Sequence, residues 1–417
     1  MENYTVVLFI LAIMIGLSAL ADKLKLPYPI LLIIAGIAIG FAPSVPKIEI
    51  NPEIIFLIFL PPLLYDAAFN ISFKDFKTHI NTIGTLAISL VFLTTVGIAA
   101  VAYYLIPGMT WPLAFVLGAI LSATDAVAAI SITKGLGLSH KTNTILEGES
   151  LINDASALVA YRFAVAAVTG TAFVLWRATL EFVLLLGGGF LVGFVMARLA
   201  FLLKFIKGNT IVIISFLLLL PFVTYLVAEE FHVSGVIAVV TLGLSIAFVS
   251  NKVFPEHLKN QSKNIWDIII FMLNGLIFIL IGLQFPYVLS NIPRQSVGPY
   301  LIYALLITVV TLLIRMLRVF MQKMNLQKAF SMKKRKISEE ALLDFRNSLI
   351  ISWSGMRGIV SLAIAIGLPK TLEDGTPFPL RNEIIFISVA VVLFTLIGQG
   401  LTLPLIVKKL TSRKKIK

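Results

Sequence analysis

Residues Gly148–Tyr161 read GESLINDASALVAY and sit inside an apolar run from about Thr142 to Thr169. A run of that length crosses a bilayer as a helix. It carries Glu149, Asn153 and Asp154, the last close to its middle. A carboxylate at that depth costs about 3 kcal/mol on insertion scales, so it persists only with a partner, a water-filled cavity or a function. Helical residues four apart share a face, which puts Ser150 and Asp154 on one stripe and Glu149 and Asn153 on the next. The first stripe offers a hydroxyl and a carboxylate, oxygen ligands suited to a hard cation. The plainer alternative is a buried polar knot that only joins helices, and a knot does not need an acid at midspan.

The rest of the chain has the same character. Of 417 residues, 59% are hydrophobic and 13% charged, and the mean hydropathy is +0.98. That balance excludes a soluble domain. Spanning-length apolar runs recur from end to end, where a β-barrel would show short alternating segments. Cysteine is absent, which removes disulfides, thiolate nucleophiles and cysteine metal sites. The net charge of +13 sits in loops between spans, so it speaks for membrane topology and anionic lipid and not for nucleic acid.

Thirteen spans are expected, at about 5–21, 28–43, 53–70, 82–106, 112–132, 142–168, 178–203, 210–228, 233–249, 264–286, 298–320, 346–367 and 383–407. Ala19-Leu20-Ala21 imitates a signal-peptide cleavage site, but Met1–Thr5 contains no Lys or Arg. Loops after odd spans are basic: Lys23/Lys25, Lys74/Lys77, Lys134/Lys141, Lys204/Lys207, Lys252/Lys259/Lys263, Lys323 to Lys336 and Lys408 to Lys417. Loops after even spans carry only Lys47, Arg177, Arg294, Lys370 and Arg381. By the positive-inside rule the N-terminus is outside and the C-terminus cytoplasmic, in an inner or plasma membrane. Gln322–Phe345 reads as a cytoplasmic amphipathic linker on the inner leaflet.

Other polar groups lie within spans. Asp66 follows Pro61-Pro62, which should kink the third span; it is either an acid wetted at the interface or a second cation ligand or gate. Thr124 and Asp125 interrupt the fifth span, in GAILSATDAVAAISI. The run is either a Ser/Thr-lined helix contact or a place where the helix unwinds, frees carbonyls and lets a carboxylate cap a half-helix. Ser354, Gly355 and Gly358 weaken the twelfth span around Arg357, a buried charge that needs an acid. Glu149 is the best candidate partner. Arg315 competes for Glu149, but its place toward the end of span eleven favours snorkelling. Arg162 and the pair Glu229–Glu230 read as outer-end surface charges, and His140 as a loop histidine. The two interrupted spans are seven apart, hence oppositely oriented. That is the signature of six-span inverted repeats around a linker span, with the transport site of a secondary carrier at the broken helices.

ATDAVA followed by EGESLINDA resembles the sodium/proton exchangers of the cation/proton antiporter superfamily, in the NhaP/NHE-like branch. LPPLLYDAAF, AEEFHVSGVIAVV, LNGLIFILIGLQ and SGMRGIVSLA resemble that family too, in the same order. The resemblance implies an all-α fold of thirteen spans and a homodimer. Residues 1–78 and 208–292 would form interface helices, 79–170 and 293–417 the transport core, and 171–207 the linker. It implies that Asp154 binds sodium or a proton in turn, with Asn153 beside it. Ser150, Asp66 and the Thr124 backbone would be further Na⁺ ligands, Asp125 the acid at the helix crossing, and Glu149 with Arg357 an ion pair steadying Asn153. Ala126 stands where many relatives have proline, and Arg162 lies outside the pattern.

The expected function is antiport of Na⁺ (or Li⁺) against H⁺ by alternating access, electroneutral at one for one, with no enzymatic activity and no cofactor. Protonated, Asp154 cannot hold a cation; ionised, it can. K⁺/H⁺ antiport on the same fold is the nearest alternative. An intramembrane aspartyl protease, suggested by Tyr65-Asp66, needs a Gly-Asp dipeptide that the chain lacks.

Overall fold

The apolar runs become helices because a backbone away from water has to satisfy its hydrogen bonds within each segment. In the computed structural model, residues 2–24, 28–42, 52–133, 136–170, 175–201, 210–253, 255–332, 338–372 and 374–412 are described. Lys25, Lys47, Lys134, Lys204, Lys207, Lys333 to Lys336 and the basic residues beyond 412 lie outside them.

In chain order the helices are α1 (Glu2–Leu24), α2 (Tyr28–Gly40), α3 (Pro52–Asn70), α4 (Phe73–Gly84), α5 (Val91–Leu105), α6 (Trp111–Ile120), α7 (Ala126–Thr133) and α8 (His140–Val168). They continue with α9 (Leu175–Ala200), α10 (Thr210–Glu230), α11 (Gly235–Val253), α12 (Glu256–Ser290), α13 (Arg294–Ser331), α14 (Phe345–Trp353), α15 (Ile359–Ile366) and α16 (Arg381–Ser412). A π-helical segment, Thr85–Leu90, joins α4 to α5 without a break. Taking that trio as one and each pair α6/α7 and α14/α15 as one, and setting aside the short 3-10 turn Glu339–Ala341, the described residues form thirteen helical segments, one for each expected span. Seven helices are long and apolar enough to cross a membrane by length and composition, and five shorter ones are apolar. The protein is an all-α polytopic membrane protein whose fifth and twelfth segments are broken.

Pro61 and Pro62 lie inside α3. Some boundaries differ from expectation: α4 begins at Phe73, ahead of the fourth expected span, and α12 at Glu256, ahead of the tenth. The helix of the eleventh span does not stop near residue 320; α13 runs on to Ser331, so the first part of the expected linker continues the helix. Gln322 and Leu326 are still buried there, and Gln322 Nε2 donates to Asn81 O at 3.3 Å. The end of an apolar run is not the end of a helix when another element covers its extension.

The chain divides into two compact units. One comprises Met1–Ile50, Thr78–Gly170 and Asn274–Lys417; the other comprises Asn51–Lys77 and Thr171–Leu273. In the first, α2 and α12 cross with Gly36 against Gly282, where a Cβ on Gly36 would collide with the Ile279 carbonyl. Small residues of this kind let membrane helices approach backbone to backbone. In the second, α11 packs against α9, α3 and α10. Every broken helix, and α8, belongs to the first unit. Compactness thus groups α1 and α2 with the broken helices, a division drawn on different grounds from the interface and transport roles expected above.

Candidate functional site: two crossing helix breaks beside α8

Between α6 and α7 the chain leaves the helix over Leu121–Asp125, and between α14 and α15 over Ser354–Gly358. The two breaks cross. Asp125 N–H donates to Met356 O at 2.8 Å, and Ser361 Oγ reaches Ala123 O at 3.5 Å. Non-helical backbone at this depth is tolerated only where protein groups satisfy it, and here the second break and the start of α15 partly satisfy the first.

Asp125 caps α7: its Oδ1 accepts from Val127 N–H at 2.8 Å and Ala128 N–H at 3.2 Å. Its Oδ2 lies against Gly358, the residue before α15. A half-helix N-terminus carries about half a positive charge, so one buried carboxylate faces two such ends. Gly358 makes this possible, since any Cβ there would overlap the Asp125 side chain.

The first break is held by α8. Ser150 Oγ donates to Thr124 O at 3.1 Å, and Asn153 Nδ2 reaches the same carbonyl at 3.4 Å. Asn153 Nδ2 also donates to Thr124 Oγ1 at 2.7 Å, and that hydroxyl donates to Glu149 Oε1 at 3.0 Å. The Ser150 hydroxyl, the Thr124 carbonyl and the Asn153 carboxamide are thus gathered around one unwound residue. Asp154, one turn beyond Ser150, is buried and makes no hydrogen bond or ion pair among the described residues. It is the acid that the surrounding protein leaves unpaired.

The ion pair differs from expectation. Glu149 is paired with Arg315 and not with Arg357: Arg315 Nη1 binds Oε1, and Nη2 binds Oε2 at 2.8 Å, with both side chains 2% exposed. Arg315 Nε also donates to Ile351 O at 3.0 Å. The reason is the length of α13. The helix continues past the apolar run, so Arg315 lies inside it and not at a wettable end. Gly355 leaves the passage, because a Cβ there would collide with the Arg315 side chain. The forked guanidinium matches both carboxylate oxygens at once. Arg357 is buried in the second break. Its N–H donates to Thr395 Oγ1 of α16 at 3.1 Å, while Nε and Nη1 make no hydrogen bond among the described residues.

The remaining expected residues fall elsewhere. Asp66 belongs to the other compact unit, half-buried on α3, where its Oδ1 accepts from Asn70 Nδ2 at 2.8 Å. Arg162 is exposed on α8, and exposed His140 lies within 3.3 Å of Thr144 Oγ1. Thr395 is not legible in the sequence, nor are the separate tasks of Gly355 and Gly358. Span twelve shows that glycines are needed, but not which side chain each one admits.

The N-terminal ends of α7 and α15 thus meet at one buried carboxylate, beside a second buried acid that makes no hydrogen bond among the described residues: the fold and site are those of a polytopic helical membrane protein with two crossing helix breaks. Comparison with known proteins gives the family. The family model described as "Sodium/hydrogen exchanger, transmembrane" matches residues 8–409, and the chain belongs to this family. It is 36% identical over 98% of its length to the sodium, potassium, lithium and rubidium/H⁺ antiporter of Bacillus pumilus, of which it spans 62%. It is 32% identical over 98% of its length to the Na⁺/H⁺ antiporter ApNhaP of Aphanothece halophytica, covering 75% of that protein. In fold it is similar to the sodium proton antiporter MjNhaP1 of Methanocaldococcus jannaschii at pH 8. The TM-score is 0.75 at 21% identity, over 98% of this chain and 99% of that one.

Proposed function

We propose that this chain exchanges Na⁺ or Li⁺ for H⁺ across a membrane by alternating access, with Asp154 as the group that cation and proton share. The observation that carries this reading is the contrast between Asp154 and its neighbours. Glu149 is neutralised by Arg315 and Asp125 is engaged by backbone N–H groups, while Asp154 has no protein partner among the described residues. Ser150 Oγ and Thr124 O, already 3.1 Å apart, are the oxygen ligands for a hard cation at that carboxylate. Asn153 orients the Thr124 carbonyl, and Glu149 and Arg315 hold Thr124. Asp66 is proposed as a further carboxylate on the cation's path. One titrating acid per cycle makes the exchange electroneutral, one Na⁺ for one H⁺. The chain works as a homodimer with its N-terminus outside and its C-terminus cytoplasmic. Residues 1–78 and 208–292 face the second copy, and the core 79–170 and 293–417 carries the site.

Asp154→Asn keeps the shape and removes the titrating group. In everted vesicles holding a pH dye, Na⁺-evoked dequenching should vanish while the protein remains folded; wild-type dequenching would refute the assignment. In the wild type the apparent Michaelis constant for Na⁺ should rise as pH falls, with little change in maximal rate, because protons compete for the same oxygen atoms. Adding Li⁺ and K⁺ in turn reads the cation range. Clamping the potential with valinomycin and K⁺ should leave the flux unchanged, and a flux that follows the potential would exclude one-for-one exchange.

A further inference from the structure

Away from the breaks, the N-terminal ends of α8 and α14 are fastened together. Asn347 Oδ1 accepts from Ser139 Oγ at 3.1 Å and from Thr142 Oγ1 at 2.9 Å. Ser139 is the N-cap of α8, accepting Thr142 N–H at 3.2 Å, and Asp344 is the N-cap of α14, accepting Asn347 N–H at 2.7 Å. One carboxamide oxygen therefore takes the hydroxyl protons of both α8 residues, and its own residue starts the capped turn of α14. Two further contacts join the same stretches: Lys141 Nζ donates to Leu342 O at 2.9 Å, and Arg346 Nη2 reaches Gly137 O at 3.4 Å. Beneath them Leu343 is buried in an apolar cluster with Leu86, Ile145, Leu146, Val319 and Ile351. Parting the two ends would strip Asn347 Oδ1 of both hydroxyl donors, leave Ser139 and Thr142 only each other at 2.9 Å, and wet Leu343.

We propose that Asn347 is a positioning residue for transport. It locks the start of the Asp154 helix to the first half of the second broken helix, so that the two move as one body through each half-cycle and never part. Asn347 touches no cation; it acts by keeping α8 and the second break in register. The effect on transport rests on the exchange reading above, whereas the lock can also be read without transport.

The chain has no cysteine, so a pair introduced at Ser139 and Asn347 is unique. Asn347→Leu should lower the maximal exchange rate about tenfold, the factor that about 1.4 kcal/mol represents, and leave the apparent Michaelis constant for Na⁺ within about twofold. Asn347→Asp, which still accepts both hydroxyls, should restore most of the rate. The pair Ser139→Cys/Asn347→Cys should be slow, and joining it with a short membrane-permeant bifunctional thiol reagent should return the rate toward wild type. A cross-linked carrier that falls silent would overturn the proposal, since the ends would then have to separate. An Asn347→Leu variant at wild-type rate would overturn it too. The rate of cross-linking should not depend on the direction of an imposed Na⁺ gradient; dependence on direction contradicts the lock. A wild-type chain that moves no protons with Na⁺ would sink the exchange reading alone, and the cross-linking rate would still decide this one.

Discussion

The two helix breaks are alike in backbone and unlike in chemistry. Each interrupts a span with a short non-helical stretch, Leu121–Asp125 in one and Ser354–Gly358 in the other, and each leaves a half-helix N-terminus inside the protein. The first brings its own acid and is dressed by polar side chains of α8. The second has no acid, and the N-cap of α15, Gly358, contributes no side chain. It depends on the carboxylate of the first and on the Thr395 hydroxyl. Both spans unwind, while the acid sits in the first break and the second carries the buried Arg357. On the exchange reading proposed above, the first break is the binding surface and the second its abutment.

Asp125 is where the comparison is easiest to break, because it serves both. Asp125→Ala removes the cap of α7 and the negative charge facing α15. A lost N-cap costs about 0.5–2 kcal/mol at an exposed helix, and here two buried ends lose their counter-charge together. This variant should show the largest fall in thermal stability in detergent, and no exchange. Asp125→Asn should recover part of the stability, since its Oδ1 can still cap α7, but should remain impaired because it no longer carries the charge that faces α15. Equal melting of the two variants would mean that the charge is irrelevant.

Next in size is the pair that joins the breaks. Glu149 holds Thr124 in the first break, and Arg315 holds Ile351 O at the edge of the second. Glu149→Gln or Arg315→Met alone leaves a buried charge without its partner, at about 3–5 kcal/mol. The double variant should be milder than the sum of the singles, as residues in direct contact are not additive. Repeating the cycle with Arg357→Met in place of Arg315→Met should give weaker coupling to Glu149. Stronger coupling through Arg357 would contradict the Glu149–Arg315 pair.

These residues also mark how far the sequence can be read. Both breaks are legible, because a run of polar residues and glycines at midspan costs a membrane helix both propensity and lipid contact unless the backbone there has a use. That Ser150 and Asp154 share one stripe of α8, and Glu149 and Asn153 the next, is legible from the helical repeat alone. The partner of Glu149 is not, because span limits come from apolarity and α13 continues beneath a covering element, which changes an end arginine into an interior one. The role of Thr395 is hidden for a related reason. A threonine in an apolar span returns its proton to its own helix, here to Val392 O at 2.9 Å. Which backbone N–H then uses its lone pair is a tertiary fact. Asn347 stands among ordinary N-cap residues, and its second task depends on a segment some two hundred residues away.

The smallest effects separate the two breaks most sharply. Ser150→Ala removes one of two donors to Thr124 O, and Asn153 remains within 3.4 Å of that carbonyl. The loss of stability should be near 1 kcal/mol, the usual net value of about one hydrogen bond. Ser150 Oγ is also a proposed cation ligand, so the apparent Michaelis constant for Na⁺ should rise severalfold. Thr395→Val, by contrast, leaves the Arg357 N–H buried without its acceptor, a penalty of about 1–3 kcal/mol. It removes nothing that meets the cation, so melting should fall while the Michaelis constant for Na⁺ stays near wild type. Melting curves and Na⁺ titrations on the same two variants check both halves. If Ser150→Ala mainly melts the protein and Thr395→Val mainly weakens Na⁺, the roles given to the two breaks are reversed. If each variant moves both quantities in proportion, the breaks form one unit and the distinction drawn between binding surface and abutment fails.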